Sequence, residues 1–316
     1  MTPYNANEKA IQILLLGGFG QVGYELQRAL APLGNITTLT RDSHKELCGD
    51  LCEREALAFT VRQLTPDIIV NAAGFTGVDL AETEPEQAAA VNTIAARVLA
   101  AEAKLSNALL VYYSTDYVFG GDGDRSYLED DPKRPLNVYG RTKLEGEQAI
   151  KESGCRHLIL RTSWVYASRR NNFMRTILDL ATRRENLQII NDQFGAPTGA
   201  ELIANTTFLA LRQCLAEEQK EGLYHLAASG ETTWFNYAQY IVRAARQAGW
   251  PIRLQDDAIE PVPSKAFPTP AKRPHNSRLD TTRLEETFGV RMPDWRDGVD
   301  RALNEIFSRA TPQEEG

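Results

Sequence analysis

Tyr139 and Lys143 stand four residues apart in Tyr-Gly-Arg-Thr-Lys, downstream of the run Ser114-Thr115-Asp116-Tyr117-Val118-Phe119. On a helix, positions four apart share a face, so the Lys143 ammonium would lie beside the Tyr139 phenol and favour its ionised form. A phenol with an ordinary pKa of about 10 needs such help to move a proton near neutrality. The chemistry implied is proton delivery beside a transferring hydride. The same spacing also suits a plain amphipathic helix face, so the pair depends on the elements around it.

The segment Ile11 to Gly23 runs from an apolar β-rich stretch into glycines and then into helical periodicity, with Val22, Leu26, Ala29, Leu30 and Leu33 as the buried stripe. Gly17, Gly20 and Gly23 would let the chain turn and bring the N–H groups of Gln21 and Val22 to a pyrophosphate at the positive end of the helix. The spacing G-x-x-G-x-x-G differs from the G-x-G-x-x-G of many NAD dehydrogenases and resembles the extended short-chain dehydrogenase/reductases. The next strand, Ile36 to Thr40, ends in Arg41-Asp42. Arg41 suits a 2′-phosphate and hence NADPH, while Asp42 keeps NADH open. Asp50 and Leu51 are placed near the adenine, although Asp50 could equally begin the helix of Glu55, Leu57 and Phe59. Pro66 to Gly74 is a buried strand whose small terminal residues Ala72 and Ala73 leave room for a flat cofactor. Another strand, Ala108 to Tyr113, delivers Ser114 and Thr115 to its carboxyl end, facing Tyr139.

Strands and helical segments alternate up to Ser163, which predicts an α/β fold: a Rossmann-type, doubly wound parallel sheet over residues 1–165. Beyond it lies a smaller, discontinuous substrate-binding domain over 166–316, with about 201–228 returning to the sheet through Gly222 to Ala228. The 316 residues carry a net charge of −7, which argues against a nucleic-acid surface, and Lys272-Arg273 is too short a basic run to change that. Neither a signal core in Met1 to Lys9 nor an apolar span is seen, so a cytoplasmic protein without membrane contact is expected. The cysteines Cys48, Cys52, Cys155 and Cys214 form no Cys-x-x-Cys pair. His44, Cys48 and Cys52 are spaced for a metal, but Gly49 breaks a continuous ligand face and no metal is assigned. Thr311 to Gly316 reads as a frayed tail.

Several further segments resemble the dTDP-4-dehydrorhamnose reductases in this order along nearly the whole chain. They are Gly20 to Leu26, Val78-Asp79-Leu80-Ala81-Glu82, Ser114 to Phe119, Pro135 to Gly140, Arg161 to Tyr166, Asn191 to Thr198 and Arg273 to Leu279. The resemblance implies NADPH- or NADH-dependent reduction of the C4 carbonyl of a dTDP-linked 4-keto-6-deoxy sugar, with Tyr139 as proton donor. Lys143 would bind the nicotinamide ribose, and Thr115 would bond the sugar oxygen. Thr76, Val78, Asp116, Tyr117 and Trp164 would line the sugar. Asn172, Gln193, Pro197 and Arg273 would complete the site, Arg273 at the diphosphate. Phe75 departs from the family's usual Tyr or His, removing a hydrogen bond there. Some members use Mg²⁺ at a dimer contact, which leaves a homodimer open but assigns no carboxylate here. An NDP-sugar epimerase or dehydratase shares the Tyr-Lys pair, yet such dehydratases carry Thr-Asp-Glu where this chain has Tyr117 after Asp116. A non-enzymatic reading, like the regulatory subunit of methionine adenosyltransferase, needs none of Thr115, Tyr139 and Lys143.

Overall fold

The computed structural model describes residues 10–43, 47–255 and 257–310. His44, the first nine residues and the tail from Thr311 lie outside them. The first half alternates strands and helices: β1 (Ile11–Leu16), α1 (Gln21–Leu30), β2 (Gly34–Leu39), α2 (Arg54–Leu64) and β3 (Ile68–Asn71). Short helices α3 (Val78–Thr83) and α4 (Pro85–Ala89) lead through a π-turn over Ala90–Ile94 into α5 (Ala95–Ser106). Then follow β4 (Leu109–Thr115), α6 (Val138–Ser153) and β5 (His157–Thr162). The second half holds β6 (Val165–Tyr166), α7 (Phe173–Arg183), β7 (Leu187–Ile190), β8 (Phe194–Gly195), β9 (Thr198–Gly199) and α8 (Ala200–Cys214). It ends with β10 (Gly222–His225), β11 (Thr232–Thr233), α9 (Trp234–Gln247), β12 (Ile259–Val262), α10 (Thr282–Phe288) and α11 (Trp295–Ala310).

Among the described residues the central sheet has six parallel strands in the order β10-β5-β4-β3-β1-β2. Both faces are covered, so the inner strands are continuous apolar runs rather than alternating ones. In β1, Ile13 and Leu15 point into a core shared with α1, α8 and α10, whereas Leu14 and Leu16 point into the opposite core with α2 and α5. A third core, around Met174, Ile177, Tyr237, Ile241, Trp295 and Val299, joins α7, α9 and α11. The chain from 200 to 226 packs with the sheet, whereas Ala228 joins the third core. Leu284, Phe288 and Met292 pack with the sheet as well, although the sequence pattern groups that stretch with the second body. Among the described residues no helix is long and apolar enough to cross a membrane.

Strand order reverses between β1 and β3, and in open parallel sheets that reversal opens a crevice at the carboxyl ends of the strands. Gly17 follows β1 and Ala72 to Gly74 follow β3, so these residues form the two lips of the crevice. β4 ends beside them at Thr115.

Candidate active site

Thr115 caps the turn Asp116–Val118, its hydroxyl accepting the Tyr117 N–H at 3.2 Å. α6 is held against that turn by its own cap, Asn137, whose side chain accepts the Gly140 N–H at 2.8 Å and donates to the Lys272 carbonyl at 2.9 Å. Only glycine fits at 140, since a β-carbon there would lie 2.1 Å from the Tyr117 carbonyl oxygen. This close approach brings Tyr139 to Thr115. The phenol faces the Thr115 hydroxyl, and its ring meets Tyr117 edge-on with centroids 5.7 Å apart. Burial pushes the Tyr139 phenol up to about 12, the Thr115 bond opposing and the Asp116 charge adding to the rise. At neutral pH the group is an O–H donor, the state that general-acid chemistry requires.

The structure differs from the expectation that Lys143 lowers the phenol's pKa. The two side chains share a helical face but diverge, the phenol towards Thr115 and the ammonium towards the Tyr112 ring and the Gly74 loop. Lys143 Nζ lies 4.0 Å from the centroid of the Tyr112 ring and 3.9 Å from where a β-carbon on Gly74 would stand. Burial brings Lys143 down to about 7, against the Glu147 carboxylate one turn along α6. Glu147 itself is fully engaged. It takes two hydrogen bonds from Arg161, at 2.8 and 2.6 Å, and one from Ser114 at 2.5 Å.

At the crevice, Gly17 has φ +79°, and a β-carbon on it would lie 2.7 Å from the Ala73 nitrogen, so the two lips touch backbone to backbone. Gly20 is different: its nearest obstacles would be the Gly17 and Ala72 carbonyl oxygens at 3.2 and 4.0 Å, leaving open space before the N-terminus of α1. A cavity of about 250 Å³ opens there, lined by Phe19, Gly20, Gln21, Tyr24, Ala167 and Arg169 among others. The uncapped start of α1 at Gln21 and Val22, with open room before it, suits a pyrophosphate. Gly23 packs tightly, as a β-carbon there would lie 2.2 Å from the Gly17 oxygen. Arg41 and Asp42 are both exposed in the turn after β2, which Ser43 closes on Thr40. Asp50 holds a local turn by accepting the Cys52 N–H at 2.9 Å, and Leu51 is buried behind it.

Trp164, Gln193 and Pro197 gather on the second body. Trp164 adopts a left-handed backbone, φ +47°, and stacks on Trp234 with centroids 3.6 Å apart. A β-carbon on Gly195 would come within 2.7 Å of the Trp164 ring, so that glycine makes room for the indole. Gln193 accepts the Trp234 N–H at 3.2 Å, and Pro197 is buried. Thr76 is exposed on the loop after β3, with Val78 partly buried at the start of α3. Arg273 is not free: it is paired with Asp79 at 2.7 Å and reaches the Tyr117 hydroxyl. Although burial acts to raise the Asp79 carboxyl, the Arg273 and Ala271 hydrogen bonds hold it below its usual range. Asn172, expected in the substrate site, caps α7 and donates to Gln21 at 3.0 Å. The cap position directs its amide across to the glycine turn.

Sequence reading missed Asn92, Glu147, Arg161 and Trp234. Asn92 sits in the π-turn, a one-turn widening that frees helix geometry for a side-chain role. Its amide accepts the Phe75 N–H at 3.0 Å, donates to the Phe75 carbonyl at 3.1 Å and donates to Thr142 at 3.1 Å. It thus ties the loop after β3 to α6. A lone amide within the alanine-rich run 88–96 was the available signal.

Glu201 and Glu305 lie near Glu25, whose carboxyl is raised by burial and then by these neighbours. Each has an arginine nearby: Arg28 for Glu25, Arg301 for Glu201 and Arg309 for Glu305. Among the described residues no group of three His, Cys, Asp or Glu could hold a metal ion.

Residues 11–308 match the family model described as RmlD substrate binding domain. A dTDP-4-dehydrorhamnose reductase of Escherichia coli K12 is 53% identical over 299 residues, covering 94% of this chain and 99% of the relative. One from Salmonella typhimurium is 50% identical, covering 95% of this chain and 100% of the relative. Among solved structures, a dTDP-4-dehydrorhamnose reductase of Bacillus anthracis in complex with NADP superposes with a TM-score of 0.83. It is 32% identical, covering 94% of this chain and 100% of that one.

Proposed function

The chain belongs to the RmlD family, and from that premise we propose that it reduces the C4 keto group of dTDP-4-dehydro-6-deoxy-L-mannose (dTDP-4-dehydrorhamnose) to give dTDP-L-rhamnose. The observation that carries this reading is the Tyr139 phenol, kept protonated and facing Thr115 at the carboxyl end of a parallel sheet, with a buried lysine one turn away. The cofactor, when bound, supplies a hydride to the sugar C4. Gly17, Gly20, Gln21, Val22 and Gly23 hold its pyrophosphate. Arg41, Asp50 and Leu51 hold its adenosine end, Ala72 and Ala73 floor the crevice, and Tyr139 and Lys143 meet the nicotinamide ribose. Arg41 makes NADPH the preferred form, with NADH as the weaker donor.

Tyr139 passes its proton to the sugar O4 as negative charge develops there, while Thr115 hydrogen-bonds that same oxygen. Thr76, Val78, Asp116, Tyr117 and Trp164 line the sugar, and Gln193, Pro197 and Arg273 the nucleotide. The pairing of Arg273 with Asp79 makes it a preset donor rather than a flexible one.

Loss of reduced-nicotinamide absorbance when the purified protein receives the dTDP-linked 4-keto sugar tests the reading. Turnover with NADPH and none with unrelated ketones is expected, whereas no turnover with either cofactor would refute it. Arg41→Ala should raise KM for NADPH by about tenfold or more, the worth of one charge-assisted contact, and leave KM for NADH almost unchanged. Equal effects on both cofactors would remove Arg41 from the 2′-phosphate.

A further inference from the structure

The run Val78-Asp79-Leu80-Ala81-Glu82 begins α3, and its two carboxylates hold two different parts of the chain. Glu82 Oε1 accepts the Val138 N–H at 2.7 Å. Asp79 accepts the Ala271 N–H at 3.2 Å and takes the Arg273 guanidinium on both oxygens, at 3.3 and 2.7 Å. Asn137 closes the triangle, its amide donating to the Lys272 carbonyl at 2.9 Å. The short helix, the start of α6 and the segment 271–273 are thus tied to one another pairwise. Val138 opens α6, so its N–H has no carbonyl within the helix to meet, and a carboxylate there also faces the positive helix end. The Gly140 N–H is taken by Asn137 at 2.8 Å. Side chains therefore hold the N–H groups on both sides of Tyr139. Ala81, Ala88 and Val138 form a small apolar cluster that Phe75 and Tyr139 join, which seats α3 on the same turn.

We propose that α3 positions the reacting groups, with Glu82 acting on Tyr139 and Asp79 on Arg273. The inference rests on the reductase reading above, in which Tyr139 gives its proton to the sugar O4 and Arg273 contacts the nucleotide. Neither carboxylate touches substrate in this role; both are positioning residues. The two ties have different kinetic consequences. The Tyr139 O–H bond breaks only in the transition state, and a displacement of about 1 Å costs on the order of 100-fold in rate, so Glu82 governs kcat. Arg273 meets the nucleotide before and during the reaction alike, so Asp79 governs affinity for the dTDP sugar. Freed from Asp79, the guanidinium loses its preset direction, and binding must order it.

Glu82→Ala should lower kcat by about 10- to 100-fold with little change in KM for the dTDP-linked 4-keto sugar. It should also enlarge the solvent deuterium isotope effect on kcat, because proton transfer from Tyr139 becomes slower. Glu82→Gln keeps a carbonyl oxygen that accepts the Val138 N–H, so it should restore both kcat and the wild-type isotope effect. Wild-type kcat in Glu82→Ala overturns the proposal, as does a kcat loss with an unchanged isotope effect, the mark of a smaller folded fraction. A Glu82→Gln variant as slow as Glu82→Ala overturns it as well. Should Glu82→Ala fail to fold, Glu82→Asp, with its carboxylate drawn back by one methylene, must show the same slowed, isotope-sensitive kcat; wild-type behaviour there is equally fatal. For the other tie, calorimetry with dTDP and no cofactor should show Asp79→Ala binding about tenfold more weakly than wild type, while NADPH affinity holds. Equal or tighter dTDP binding would make Asp79 a charge opposing the diphosphate and overturn its part. A wild type that binds dTDP and NADPH but oxidises no NADPH would instead refute the reductase reading, with the calorimetry still deciding Asp79.

Discussion

Two groups of buried ionisable side chains lie one turn apart along α6, and the fold treats them in opposite ways. Glu147 and Arg161 are 1% and 0% exposed, and their hydrogen bonds to each other, to Ser114 and to the Glu129 carbonyl answer the charge on both sides. Lys143 and Asp116 are also buried, and Tyr139 partly so, but there burial favours the neutral form of each group. A buried charge that is fully paired holds strands and helix in register, whereas a buried group left short of partners retains bonding capacity for a ligand. The first group is the frame on which the second is mounted. Ser114 and Thr115 are neighbours on β4, one anchored to Glu147 and the other facing Tyr139.

That contrast breaks most readily at Tyr139. Tyr139→Phe should lower kcat/KM by about 10²–10⁴-fold, roughly 3–5 kcal/mol of transition-state stabilisation, while the melting temperature stays near wild type. Steady-state kinetics beside a thermal melt would reveal the reverse pattern, which would place Tyr139 with the frame. Arg161→Met should do the opposite, costing about 3–5 kcal/mol in a denaturant titration by stranding Glu147, with the double change Arg161→Met and Glu147→Leu recovering much of it. If the double variant is no more stable than the single, the pair is not the frame it is taken for.

His225 sharpens the comparison because it belongs to the frame by position, its backbone N–H donating to Glu129 at 3.0 Å, yet its ring Nε2 has no hydrogen-bond partner among the described residues. Burial and then the Arg161 charge bring it from 6.5 down to about 3. Between those values the unfolded chain binds a proton that the folded chain does not, so stability falls as pH drops from 6.5 towards 3, by on the order of a few kcal/mol. Chemical denaturation across that range should show a slope that His225→Gln flattens. Smallest is Asn172→Ala, expected to cost about 1 kcal/mol through loss of the α7 cap and to weaken cofactor binding modestly through Gln21. A dTDP-sugar KM that rises while cofactor affinity holds would return Asn172 to the sugar side.

What was legible in the sequence follows the range of the interactions. The sheet, the glycine turn and the Thr115–Tyr139 meeting depend on local signals: an apolar run ending in a hydroxyl, glycine spacing and a four-residue helical interval. Lys143 shows where such a signal stops, because spacing gives the face of a helix but not the direction in which a long side chain leaves it. Asp79 with Arg273 and Trp164 with Trp234 are separated by 194 and 70 residues, and nothing in either local pattern marks its partner. Glu147, four residues beyond Lys143, carries no local mark of its burial, because its partner Arg161 lies on the following strand.

The stacked indoles have an optical consequence. Two tryptophans held nearly parallel, 11° between planes at 3.6 Å, couple their electronic transitions and should give a paired positive and negative band in circular dichroism. Trp164 sits in a backbone state that costs a bulky residue on the order of 1–3 kcal/mol, so this stack is held by its surroundings rather than by its own preference. A ligand that draws Trp164 towards itself would collapse that couplet without any label. With Trp164 in the proposed sugar site, that couplet would serve as a gauge of occupancy, readable apart from hydride transfer.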